Sequence, residues 1–243
     1  MEHEIWITRL FNDYLAGVGN AILQLFGLHA GNPARPWENF ITMQLLVAAI
    51  VVVVFGFLRT RLSADNPGKL QLTFEAIYQF FVSQTDQYIE HGQAHLPFFG
   101  TLFLFILFSN LIGVIPGLES PTQVVYVPAG CALLAFSYYN FHGLREHGAM
   151  YIKQFMGPKW WLAPLMLPIE IASHLARPLS LTVRLFANMF AGEKLTLIFL
   201  SLTYFIGPAV FMGLHVFVSL IQAYVFSLLA TVYVAGAVSH EAH

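Results

Sequence analysis

Charge is what this sequence has least of. Asp, Glu, Lys and Arg make up 10% of its 243 residues, against about 25% in an ordinary soluble domain. A soluble globule of this length cannot clothe its surface with so few ions. A soluble enzyme, a disordered chain and a nucleic-acid binder with a basic stripe are therefore excluded. Neither sign dominates, the formal net charge being -2. Cysteine is nearly absent too. The single Cys131 has no partner for an internal disulfide, and no Cys/His cluster has metal-ligand spacing, so neither a metal nor a cofactor is expected. His240 and His243 read as a solvated tail rather than a ligand pair. Low-complexity tracts and repeats of clear period are missing. So is a secretory leader: Glu2 and Glu4 stand where basic residues belong, and Asn12 and Asp13 break the apolar stretch. What is plentiful is apolar surface, with 57% hydrophobic residues and 23 Phe. The chain reads as one multi-span membrane domain.

A spanning helix needs about 20 mostly apolar residues. Residues 40–58 supply them without a charge, and Arg59 and Arg61 stop the span before the turn at Asn66, Pro67 and Gly68. Residues 69–90 differ. Leu70, Phe74, Ile77, Phe81 and Tyr88 recur at helical spacing, while Gln71, Glu75, Gln79, Asp86 and Glu90 take another side. That pattern predicts an amphipathic helix in the membrane surface, with His91 and His95 capping its end. Residues 97–116 and 125–142 are the second and third spans. Glu119, in the loop between them, is expected to be solvated. Residues 161–203 are apolar but carry Glu170, His174, Arg177, Arg184, Asn188, Glu193 and Lys194. As a helix they reach about 60 Å, twice the bilayer core. The only break, at Gly192–Glu193–Lys194, leaves too little for a further span. One strongly tilted helix fits, anchored by Trp160 and Trp161. Gly207–Pro208 signals a turn, and 209–238 form a last long helix. The expected fold is all-α and integral to the membrane. It has five transmembrane helices and one interfacial helix, the last two spans forming a long tilted antiparallel hairpin.

Lys and Arg set orientation. They cluster after span one (Arg59, Arg61, Lys69) and after span three (Arg145, Lys153, Lys159), and are absent from 117–124 and 204–208. The 39 N-terminal residues, which carry only Arg9 and Arg35, are therefore expected outside, and the C-terminus in the cytoplasm.

An ionisable group at the bilayer centre costs about 2.5–3.5 kcal/mol on insertion scales, so each such group is a functional candidate. Glu170, Arg177 and Arg184 recur every seven residues on one face, beside Ser173, Ser180, Ala187, Asn188 and Ala191. His215, Ser219 and Gln222 share a face of the last helix. Folding the two helices antiparallel about 203–208 brings Arg184 level with Gln222 near the middle. It puts Glu193 near His215 toward the outside, and Glu170 near His240 and Glu241 toward the cytoplasm. A carboxylate beside an imidazole relays protons near neutral pH. A permanently charged Arg between the two ends cannot, and it favours the ionised form of a carboxylate on a partner. Arg177 either pairs with Glu170 or His174 or snorkels, and Lys194 snorkels to the outer headgroups.

These residues resemble the a subunit of the F-type ATP synthase. The resemblance rests on PLSLTVRLFANMFAGE at 178–193, LHVFVSLIQAYVFSLLATVYV at 214–234, PIEIASHLARPLS upstream and SNLIGVIPG at 109–117. It extends over essentially the whole chain in span number and order. It implies that Arg184 is the essential arginine facing a carboxylate of the c-subunit ring. Asn188, Glu193, His215, Gln222 and Glu170 would line two half-channels for protons. The partners it implies are the c ring, the b-subunit stalk, the remaining synthase subunits and membrane lipids, with no nucleic acid and no ATP chemistry on this chain. Ala187 stands where the family usually has Gly, and Lys194 where it is usually apolar. His215 is like bacterial members, which implies a bacterial plasma membrane. Rival readings are a secondary transporter, whose related halves are missing here, and an intramembrane enzyme, whose paired-His or acidic motif is missing.

Overall fold

The computed structural model describes residues 4–25, 27, 32–60, 62–63, 68–89, 92–115, 117–148, 163–202 and 206–238. Seven α-helices and no strand occur among them: α1 (Trp6–Leu25), α2 (Asn39–Thr60), α3 (Lys69–Asp86), α4 (Leu96–Ile112), α5 (Tyr126–His147), α6 (Ala163–Leu202) and α7 (Ile206–Val238). An all-helical chain suits a bilayer, because each helix satisfies its own backbone polar groups where no water is available. Asn39–Thr60, Pro164–Leu202 and Ala209–Val238 are long and apolar enough to cross a membrane, and Leu96–Ile112 is a shorter apolar helix. Large side chains such as Val52, Val53, Leu134, Leu179 and Leu197 are exposed, as lipid contact requires.

The core lies between α4, α5, α6 and α7, around Phe99, Ile106, Tyr139, Leu185, Met189 and Val234. α2 joins it through Met43 and Val47 against Ile112 and Ile5. α3 is helical where the pattern predicts a helix, but its faces are mixed: Gln71 of the expected polar side is buried with Phe81 and Thr85, while Leu70 is exposed. α6 runs unbroken for 40 residues with Pro168 and Pro178 inside it, about 60 Å. Each proline removes a ladder donor, and Thr182 Oγ1 donates to the Pro178 carbonyl at 2.8 Å.

The helices differ from the sequence pattern in several places. The N-terminal segment holds α1, where Asn12 and Asp13 were read as interruptions. Its Thr8 and Asn12 face inward. Thr8 meets the Thr42 hydroxyl at 2.7 Å, and Asn12 accepts from Trp37 N at 3.0 Å and donates to Trp37 O at 3.1 Å. Trp6, Leu10 and Tyr14 face out. α3 ends at Asp86 rather than 90. α4 ends at Ile112 rather than 116 because the chain folds back across its end. There Ser120 Oγ donates to Ser109 O at 2.8 Å and Thr122 Oγ1 donates to Asn110 Oδ1 at 2.6 Å. Gly117, at φ 90°, supplies the reversal. Gly207 and Pro208 are not the turn: α7 already begins at Ile206, and proline is tolerated in a first helical turn, where its missing donor has no partner to lose. Trp160, Trp161, Arg61, Lys153, Lys159, Glu90, His91, His240, Glu241 and His243 lie outside the described residues.

Candidate functional site

The site is built on the seam between α6 and α7. Leu181, Leu185 and Met189, every fourth residue of α6, are buried, as are Ser219, Ala223, Phe226, Ser227 and Ala230 of α7. Small residues let the two backbones approach closely. Two contacts set the antiparallel register. Gly192 lies against the His215 ring, and Ser219 Oγ lies 3.9 Å from Met189 Sδ. The same register brings Arg184 level with Ala223 and Tyr224, beside Gln222. The side chain of Arg184 is exposed. Among the described residues it forms no ion pair; the one salt bridge there joins Arg35 to Glu4 at 2.8 Å. Asn188, one turn further, and Gln222 are half-buried. A fixed cation therefore stands on an exposed face of the longest helix with no counter-charge from the described residues.

At the end where α6 gives way to α7, a cavity of about 200 Å³ is lined by Glu193, Thr196, Met212 and His215 together with Gly113, Gly117 and Leu118 of the α4–α5 loop. Glu193 and His215, far apart in sequence, thus share one small space. His215 is buried, and its Nε2 has no hydrogen-bond partner among the described residues. Its position depends on the missing side chain of Gly192. A Cβ there would come 2.7 Å from His215 Nδ1. The Gln123 amide nitrogen donates to both oxygens of Glu193, at 2.9 Å to Oε1. Glu119 is half-buried, accepts from Asn39 Nδ2 at 3.3 Å, and is close enough for its charge to act on Glu193. The reading of Glu119 as a solvated loop acid is therefore corrected: it is half-buried, and the fold-back that shortens α4 carries it within electrostatic reach of Glu193. Gln123 and Glu119 were invisible to helical spacing because they lie on a loop and meet α6 only through tertiary folding. Lys194 forms no ion pair with Glu193 among the described residues; its Nζ sits 5.5 Å from the Phe190 ring centroid.

At the other end of the seam, Glu170 is half-buried. One turn on, His174 meets Asn140 and Tyr139 of α5. Among the described residues Arg177 forms no ion pair with Glu170; its guanidinium lies over the Tyr233 ring, 5.3 Å from the centroid, a cation–π contact of about 0.5–2 kcal/mol. His95 does not cap α3. It stands just before α4, its Nδ1 2.9 Å from Tyr138 Oη and its ring 4.6 Å from that of His142. Burial, and then the nearby His142, push the pKa of His95 down.

This geometry can be set beside known proteins. Residues 41–235 match the model of the family described as ATP synthase A chain. The chain belongs to the ATP synthase A chain family. One similar relative, ATP synthase subunit a of Solibacter usitatus, is 61% identical over 234 residues, covering 96% of this chain and all of the relative. Another, from Koribacter versatilis, is 47% identical over 242 residues, covering 99% of each chain. A third, from Solidesulfovibrio magneticus, is 48% identical over 195 residues, covering 79% of this chain and 82% of the relative. The family match spans α2 through most of α7 and so includes all six residues singled out from the sequence.

Proposed function

We propose that this chain is the proton-translocating subunit of an ATP synthase membrane sector, coupling proton flow to rotation of a ring of c subunits. The observation that carries the reading is Arg184: a fixed charge, exposed and without a counter-ion among the described residues, midway along a helix of apolar sequence. A permanent cation at a bilayer's depth requires an anion, and here that anion comes from outside the chain. A ring carboxylate passing Arg184 is held ionised by it. Because the guanidinium does not titrate, it also prevents protons from running straight through.

Two half-channels follow. The cavity at the α6–α7 turn, with Glu193 and His215, is the outer one. Gln123 and Glu119 polarise its wall, and Asn188 and Gln222 lead from it toward Arg184. The far end, with Glu170, is the cytoplasmic one. A proton enters from outside and neutralises the ring carboxylate. It then travels around with the ring through lipid and leaves past Glu170. The N-terminus lies outside and the C-terminus in the cytoplasm of a bacterial plasma membrane. The c ring, the b-subunit stalk and the remaining synthase subunits are the partners, and ATP chemistry belongs to other chains.

The test is Arg184→Gln in the assembled complex, read as ATP-driven acidification of inverted membrane vesicles with the complex's abundance checked by blot. Pumping is abolished while abundance holds. Normal pumping by this variant would sink the reading.

A further inference from the structure

We infer that His174 carries protons in the half-channel at the Glu170 end, held in one tautomer by Asn140. Asn140 Nδ2 is committed to the Phe136 carbonyl at 2.7 Å, so its Oδ1 faces the imidazole, 2.9 Å from His174 Nε2. An amide oxygen only accepts. Nε2 therefore bears the hydrogen, and Nδ1 is the basic atom. The Tyr139 hydroxyl lies at the ring edge, 3.2 Å from Nε2 and 3.4 Å from Nδ1. The rings of Phe136 and Tyr139 lie with centroids 5.0 and 5.2 Å from the imidazole. The ring is thus oriented by α5 while standing on α6.

Its place along α6 fits the task. Glu170 precedes it by four residues and Arg177 follows it by three, the spacings at which helical neighbours meet. His174 therefore stands between a carboxylate at the helix end and the cations leading to Arg184. Among the described residues the charged and titratable groups near it are Glu170 and Arg177 on α6, Tyr139 on α5 and, against Arg177, Tyr233 on α7. Arg177 is turned onto the Tyr233 ring, and Glu170 stands one turn before the imidazole. In the pumping direction, Nδ1 takes one proton from the Glu170 carboxyl, giving imidazolium and carboxylate. The imidazolium then yields that proton toward the ring carboxylate and returns to the Nε2–H tautomer. Synthesis runs the same two transfers in reverse, and nothing is consumed.

The inference rests on the stator reading, so His174→Gln is measured beside Arg184→Gln in the assembled complex. Glutamine keeps a donor for Asn140 but takes no proton near neutral pH. ATP-driven pumping in inverted vesicles, normalised to ATP hydrolysis in the presence of an uncoupler, is followed against the pH of the medium facing the Glu170 end. The wild type shows an inflection within the range over which imidazoles change charge, about pH 5 to 8. His174→Gln loses the inflection and pumps roughly tenfold slower, short of the about 10²–10⁴ of a positioned acid–base group because water shares the path. His142, an imidazole on α5, supplies the control: His142→Gln keeps the inflection. His174→Gln with an unchanged profile, at whatever rate, overturns the inference while Arg184→Gln remains inactive. Normal pumping by Arg184→Gln overturns the stator reading instead. Should His174→Gln fail to assemble, the wild-type profile still decides: a curve without an inflection in this range overturns the inference.

Discussion

At the scale of single residues, the site depends on what is small as much as on what ionises. His215 occupies the space above Gly192, and its ring fills the position a Cβ would need, 2.7 Å from Nδ1. Overpacking of this kind costs about 1–3 kcal/mol. Gly192→Ala is therefore expected to displace the imidazole from the cavity it shares with Glu193 rather than to unfold a helix pair held along its whole length. Proton pumping falls severalfold while the complex stays at wild-type abundance on a blot. Wild-type pumping would mean that Gly192 does not set the position of the ring. Glu193 itself is fixed from two directions. Gln123 donates to its carboxylate and Glu119 opposes it electrostatically. Both come from the α4–α5 loop, which also lines the cavity with Gly113, Gly117 and Leu118, so the cavity is made by two helices and a loop, not by the hairpin alone.

At the scale of elements, the hairpin of α6 and α7 was legible because helical periodicity and a single turn determine which residues share a depth. The mirror that placed Arg184 opposite Gln222 differs from the observed register by one or two residues, since Gly192 meets His215 and Met189 meets Ser219. That register carries a prediction. Arg184→Gln combined with Gln222→Arg moves the cation to the neighbouring helix at almost the same depth. Its job depends on fixed charge near the ring, so the double variant is expected to recover part of the proton conduction that Arg184→Gln loses. No recovery would show that the face of the helix matters more than depth. Loop-borne elements were not legible. The turn at 113–120 is held by Ser109, Asn110, Ser120 and Thr122, bonds between residues whose spacing has no period to reveal them. α1 was missed for a related reason. Its buried face is polar, Thr8 and Asn12 matched to Thr42 and Trp37, so an apolar-face rule reads it backwards. The Asn140–His174 bond is of the same type, joining two helices whose faces are individually unremarkable in sequence.

At the scale of the whole molecule, everything proposed about direction depends on which end of the bundle faces the cytoplasm. The turn end gathers Glu119, Gln123, Glu193 and His215 and has no Lys or Arg in 117–124. The other end carries Arg59 in the last turn of α2, Lys69 at the start of α3 and Arg145 in α5. Cytoplasmic loops hold the excess of Lys and Arg, which is the ground for proposing that the turn end lies outside. α5 offers a direct check because its two ends bear exposed side chains, Tyr126 at 70% and Leu144 at 51%. The native Cys131 is 5% exposed and is replaced by Ala to remove its background. In that chain, Tyr126→Cys should react with a membrane-impermeant thiol reagent applied to intact cells. Leu144→Cys should react only in inverted vesicles. Both substitutions lie on one helix, so labelling from the same side would mean that α5 does not cross the membrane. The reverse pattern would leave the helix spanning but exchange the half-channels, making Glu170 and His174 the uptake side and the Glu193–His215 cavity the exit.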